Sequence, residues 1–135
     1  MERHTRQRNA VLDALTQSGR SLMPQEICEL AQRAVPTLSL STVYRQLKDL
    51  LDGKAVVRVD LPGQPTRYEA PCELAHGDVH HHHHHFHCVA CDRVYPIHAC
   101  PGHMEDLAPP GFQVQRHDLT LHGRCAECAT GMTAP

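Results

Sequence analysis

Cys88-x-x-Cys91 and Cys125-x-x-Cys128 lie in the second half of a 135-residue chain, the first of them just after six consecutive histidines, His80 to His85. Two thiolates separated by two residues can grip one metal ion from a tight turn. Two such pairs complete a tetrahedral four-sulfur shell, the arrangement of a closed structural Zn(II) site. A single dithiol redox centre would account for only one of the pairs. The histidine run adds exchangeable nitrogen donors beside them. An affinity tag would sit at a terminus, and this run is internal.

A second constellation stands far upstream. Ser41, Thr42, Tyr44 and Arg45 follow Ser39 on a segment whose Val43, Leu47, Leu50 and Leu51 form one apolar stripe. Short polar groups, a tyrosine and an arginine near a helix N-terminus can reach base edges and phosphates: Arg45 can fork onto phosphate or guanine, and Tyr44 can pack on a thymine methyl. Arg3, Arg6 and Arg8 suit an N-terminal arm lying along an adjacent groove or backbone. By pattern alone, the same residues also suit a solvated helix face.

The elements that must carry these groups follow from periodicity. Thr5 is placed to cap a helix bearing Val11, Leu12 and Leu15, ending near Ser18-Gly19. Pro24 opens a second helix with Ile27, Leu30 and Ala31 inward, stopped by Pro36. The Ser39 segment is the third, closed by Gly53. Alternation over Ala55–Asp60 and Thr66–Glu69 around Leu-Pro-Gly-Gln-Pro predicts a hairpin. Beyond it, strands are expected at Phe86–Val89, Arg93–Ile97 and along Phe112 to Leu121, the last slipping in parity near Arg116-His117. A loop or short helix is expected at Cys100–Leu107 and a helical turn from Cys125 to Cys128. The fold class is α+β: a winged-helix domain over 1–70, a polar hinge over 71–79, and a small metal-binding domain over 80–135. Aromatic residues make up 4% of the chain and tryptophan is absent, so a metal staple suits domains this small.

Charge divides the same way. Nine Lys/Arg face six acids up to Arg58, and four face nine afterwards. That is a polyanion binder joined to a cation binder. No apolar run reaches the roughly 18 residues of a membrane span and no signal sequence opens the chain, so a cytoplasmic protein is expected. There, an odd total of seven cysteines favours metal ligands over disulfides.

Thr5-x-x-Arg8, Pro36-x-Leu-Ser-Leu-Ser-Thr-Val-Tyr-Arg45-x-Leu, Tyr68-Glu69, the histidines before Cys88-x-x-Cys91, Gly111-Phe112 and His117-x-Leu-x-Leu-x-Gly-x-Cys125-x-x-Cys128 occur in order along nearly the whole chain. In this the chain resembles the ferric uptake regulator family. The resemblance implies a homodimeric, metal-dependent repressor whose winged-helix halves bind an A/T-rich palindrome in double-stranded DNA, with Tyr44 and Arg45 at DNA-contacting positions. It also implies metal sites beyond the structural zinc. A hinge site drawn from Asp60, Cys72, His83 and His85 matches the zinc-sensing branch, and its mixed S/N/O donors suit Zn(II) over Fe(II). The hinge is longer than the family norm, which leaves His76 and Glu69 as alternatives to Cys72. A second regulatory site falls on His82, His84, His103 and His117. The carboxylate position, counted from Cys91, lands on His103 in a segment about three residues short, so Glu105 and Cys100 are alternatives. Ser21 and Leu22 stand where many iron-responsive relatives carry a histidine. The expected function is therefore a zinc-responsive repressor of metal-uptake genes, with an iron- or peroxide-responsive regulator as the alternative. A zinc hydrolase would need an open metal position and a general base, and neither His-Glu-x-x-His nor His-x-Glu paired with Pro-Cys-x-x-Cys is present. A metal buffer would leave the Ser41–Arg45 helix without a purpose.

Overall fold

The computed structural model describes residues 2–71 and 84–130; Cys72, His76, His82 and His83 lie outside them. The chain divides into two compact units, Met1–Glu73 and Leu74–Pro135.

In the first unit, α1 (Glu2–Ser18), α2 (Pro24–Ala31) and α3 (Leu40–Asp52) precede the strands β1 (Val57–Val59) and β2 (Arg67–Glu69). Helix α1 starts earlier than its sequence suggested. Thr5 lies inside it, because Glu2 and Arg3 are good helix formers and Glu2 sets a negative charge against the N-terminal dipole. Arg3 and Arg6 are accordingly exposed residues of a helix rather than an extended arm. Gly19 ends α1 with φ +65°, as expected of a glycine stop. Pro24 opens α2, and the Glu26 carboxylate accepts the Met23 N–H at 3.0 Å. Ser39 caps α3 by accepting the Thr42 N–H at 3.2 Å. At its far end the left-handed residue is Lys54 (φ 59°), not Gly53 (φ −84°).

The apolar stripes meet in one core of Val11, Leu15, Leu22, Ile27, Leu38, Val43, Leu47, Leu50 and Val56. Each fully buried aliphatic side chain contributes about 1.5–3 kcal/mol. Leu12, Leu30 and Leu51 only flank that core, and Cys28 sits inside it. The hairpin pairs Val57 with Glu69 and Val59 with Arg67. Leu22 adds a third strand position by exchanging two 2.8 Å backbone hydrogen bonds with Tyr68. Three helices with this small wing form a winged helix.

The second unit is a three-stranded sheet in the order β4 (Val94–Ile97), β3 (His84–Cys88), β5 (Thr120–Gly123), antiparallel on one side of β3 and parallel on the other. The long strand expected from Phe112 contracts to β5, since a strand needs a ladder partner and only the residues after the parity slip meet β3. A single 3₁₀ turn, Met104–Leu107, and the short helix α4 (Ala126–Ala129) complete it. Its core cluster is Cys88, Cys125 and Cys128, flanked by Phe86 and Tyr95. Gly123 lets β5 close on that cluster, because a Cβ there would meet the Phe86 ring at 3.2 Å.

Candidate metal centres and nucleic-acid interface

The first thiolate pair sits on a knuckle between β3 and β4. The chain leaves β3 at Cys88, and the Asp92 N–H returns to the Cys88 carbonyl at 2.8 Å. Asp92 takes the left-handed φ of 64° that the reversal needs, a conformation aspartate tolerates better than most residues. Its carboxylate accepts a 2.6 Å hydrogen bond from His87 Nε2, so a histidine that spacing did not single out braces the turn. The second pair opens α4. The Arg93 guanidinium reaches Glu127 across the two knuckles at 3.5 Å.

The ligand atoms of Cys88, Cys91, Cys125 and Cys128 all lie within 4.8 Å of one another. Cys91 Sγ and Cys125 Sγ are 3.8 Å apart. A tetrahedron built on the ~2.3 Å Zn–S bond has S···S edges of about 3.8 Å, so the Cys91–Cys125 edge matches that of a zinc-centred shell. Cys88 Sγ accepts the backbone N–H groups of Cys125 at 3.3 Å and Cys91 at 3.5 Å. Those amides, that of Cys125 foremost, hold the Cys88 thiol down at about 6. Removal from water pushes Cys91 up to about 12, helped by hydrogen bonding to the neighbouring sulfurs. Zinc arriving at neutral pH therefore displaces the Cys91 proton but finds Cys88 already ionised. Apparent zinc affinity should rise with pH, and the slope should steepen as pH falls through about 6, where Cys88 also carries a proton. Competition against a chromophoric chelator between pH 5.5 and 8 measures this, and a flat profile would contradict it.

A second donor cluster joins His84 on β3, Cys100 after β4, and His117 before β5. His84 Nε2 is 3.4 Å from Cys100 Sγ, Cys100 Sγ is 3.1 Å from His117 Nε2, and the two imidazole nitrogens are 3.2 Å apart. His84 is 1% exposed. Cys100, rather than His103, thus stands with the two histidines. Gly102 (φ +67°) and His103 (φ +54°) are successive left-handed residues that turn the chain just past Cys100. They leave His103 and Glu105 exposed and outside the cluster.

The hinge quartet is described only in part. Asp60 belongs to the first unit and His85 to the second, while Cys72 and His83 are outside the described residues. Asp60 is held within the wing. Its two oxygens accept from Arg58 Nε at 2.8 Å and Thr66 Oγ1 at 2.7 Å. The Thr66 hydrogen bond, then that of Arg58, keeps its carboxyl below the usual range and hence anionic. Glu69 is buried and accepts the Ser21 hydroxyl at 2.6 Å.

On α3, Val43, Gln46, Leu47 and Leu50 face the core, whereas Ser41, Tyr44 and Arg45 face solvent. Tyr44 is 53% exposed. Ser39 Oγ donates to Thr42 Oγ1 at 2.9 Å, which in turn accepts from Arg45 at 3.5 Å, so the first turn presents a pre-ordered polar surface. Buried Gln46 ties α3 to α1 through His4 at 3.2 Å.

The sequence profile of the Ferric uptake regulator family matches residues 2–122. The chain belongs to that family. Its members are metal-responsive transcriptional regulators rather than enzymes, built from a winged-helix DNA-binding domain and a dimerisation domain, and they bind DNA as dimers. Among its relatives is the ferric uptake regulation protein of Staphylococcus aureus, 27% identical over 126 residues that span 93% of this chain and 88% of the relative. The solved Helicobacter pylori ferric uptake regulator, described as having three functional metal-binding sites, superposes with a TM-score of 0.63 at 26% identity, covering 91% of this chain and 79% of that one. A zinc uptake regulator complexed with zinc and DNA superposes with a TM-score of 0.58 at 26% identity, covering 95% and 84%. Among the described residues, no helix is long and apolar enough to cross a membrane.

Proposed function

We propose that this family member is a cytoplasmic, dimeric, zinc-responsive repressor of metal-uptake genes that reads an A/T-rich palindromic operator. One observation carries the choice of zinc over iron. Ser21 stands where many iron-responsive relatives place a histidine, and its hydroxyl closes on buried Glu69 at 2.6 Å. The carboxylate at that corner therefore accepts a neutral hydroxyl where such relatives would set an imidazole beside it. The donors left for a hinge site are Asp60, Cys72, His83 and His85, a thiolate-containing set that favours zinc. The solved zinc- and DNA-bound zinc uptake regulator adds support.

In this reading, Cys88, Cys91, Cys125 and Cys128 hold the structural zinc, and the hinge site senses. Zinc binding tighter to the DNA-competent arrangement shifts the population toward it, so zinc and operator strengthen each other by the same factor. Operator retardation by the reduced protein, titrated with zinc and separately with ferrous iron, tests the assignment. Zinc should restore binding after the four-cysteine site is already full. Retardation that needs iron while zinc merely fills the cysteine cluster would overturn it in favour of an iron sensor.

A further inference from the structure

Gln46 is an unexpected residue for the inner side of α3. It is fully buried on the side that carries Val43, Leu47 and Leu50, and its Oε1 meets no hydrogen-bond partner among the described residues. A buried carbonyl oxygen left unsatisfied is costly, and an aliphatic side chain would fill the same place without that cost. What the amide adds is its hold on His4, 42 residues earlier in the chain. Gln46 Nε2 lies 3.2 Å from His4 Nδ1, and an amide nitrogen can only donate. Nδ1 therefore accepts, which puts the ring hydrogen on Nε2. His4 is exposed, and among the described residues its Nε2 has no partner, so that N–H is left for an acceptor outside the protein.

The surroundings of the ring indicate what that acceptor is. Arg8 lies one turn further along α1 on the same face, and Arg3 flanks it. Among the described residues, neither guanidinium makes an ion pair. On α3, Gln46 follows Arg45 and stands one turn beyond Thr42, whose hydroxyl accepts from Arg45 at 3.5 Å. The imidazole thus borders two uncommitted cations and the polar surface that faces DNA. A donor in such a field suits a phosphate oxygen of the duplex backbone.

We propose that His4 donates from Nε2 to an operator phosphate, and that Gln46 is its positioning residue. The bond between them lets α1 and the base-reading turn of α3 engage the duplex as one piece. Phosphate contacts fix register and orientation without carrying sequence information, so His4 governs how Tyr44 and Arg45 approach the bases. Ordering the ring before DNA arrives removes part of the entropy cost of binding. The inference rests on the DNA binding of the family and not on which ion is sensed, so an iron-dependent retardation would leave it standing.

The full chain, loaded with whichever of zinc or ferrous iron supports retardation, is titrated by fluorescence anisotropy against two probes. One is an A/T-rich palindromic duplex and the other a duplex of equal length and unrelated sequence. His4→Ala should weaken binding to both by the same factor, roughly 10-fold or more, because each half of a dimer loses a charge-assisted hydrogen bond. Gln46→Met, which keeps the volume, should weaken both about 3-fold by releasing the ring. Added to His4→Ala it should cost nothing further, since Gln46 acts on DNA only through that ring. His4→Gln, which keeps a donor and an acceptor, should recover part of the loss. Because His4 is exposed, the His4→Ala and His4→Gln pair tests the contact even where Gln46→Met folds poorly. Parental affinity in His4→Ala, a loss confined to the palindrome, no recovery in His4→Gln, or a Gln46→Met penalty that persists in full without His4 would each overturn the proposal.

Discussion

Replacing Cys88 by serine should leave the second unit zinc-free and without stable structure, while the first unit keeps its fold. The reason is the composition of the two cores. The first is a continuous cluster of aliphatic side chains contributed by all three helices and the wing. Among the described residues the second is built on Cys88, Cys125 and Cys128, with Phe86 and Tyr95 packed against them and Val94 as its one fully buried aliphatic side chain. Sulfurs at 3.8 Å do not supply the cohesion of a hydrocarbon core; an ion between them does. Structural zinc contributes on the order of 10–16 kcal/mol of apparent binding free energy, which in so small a unit is folding free energy. Cys88 is the most damaging position, because its sulfur accepts the amides of both Cys91 and Cys125 and so orients both knuckles. Zinc content by elemental analysis and residue-resolved amide exchange would report the outcome. A Cys88→Ser protein that retains a full zinc equivalent and a protected β3–β5 ladder would contradict the assignment.

The second large effect is expected on DNA. Tyr44→Ala together with Arg45→Ala should reduce operator affinity at least about 100-fold while leaving zinc content and thermal stability nearly unchanged. Each side chain that reads a base edge contributes about 1–3 kcal/mol of discrimination, and both halves of a dimer lose it. Neither residue supports the fold. They project from the exposed side of α3, opposite Val43, Leu47 and Leu50, and exposed substitutions of this kind usually shift stability by no more than ~0.5 kcal/mol. Fluorescence anisotropy on an operator duplex, with metal analysis on the same sample, separates the two functions. Unchanged DNA affinity would favour a metal buffer over a regulator.

Local rules carried far in this chain. The apolar stripe of α3, the Ser39 cap and the Gly19 stop depend on neighbours within a helical turn or two, and these elements stand where the periodicity put them. The four-cysteine cluster was equally legible, because a Cys-x-x-Cys knuckle is a local structure and two knuckles have few other uses. Two stretches depart from those rules, one through its near neighbours and one for want of a partner strand. Thr5 has good capping chemistry, but residues before it extend α1, and the three arginines near the start became helix rather than arm. Phe112 to Asp118 stays outside the ladder among the described residues, and pairing begins only at Leu119, whose carbonyl accepts the His85 N–H at 3.2 Å.

Sequence alone determined the elements of the winged helix, the outward Ser41–Arg45 surface and the two cysteine knuckles, since each of these pieces is written in spacings of a few residues, although the knuckles meet across 34 residues. Tertiary structure decided which donor stands beside His84 and His117. Cys100 enters that cluster because the backbone doubles back through Gly102 and His103, after β3 and β5 have brought both histidines to the same place. Tertiary structure likewise committed Glu69 to Ser21, 48 residues away, through a wing that folds back on the strand position at Leu22. Periodicity reports which way a side chain points, but only the assembled sheet fixes what it meets there.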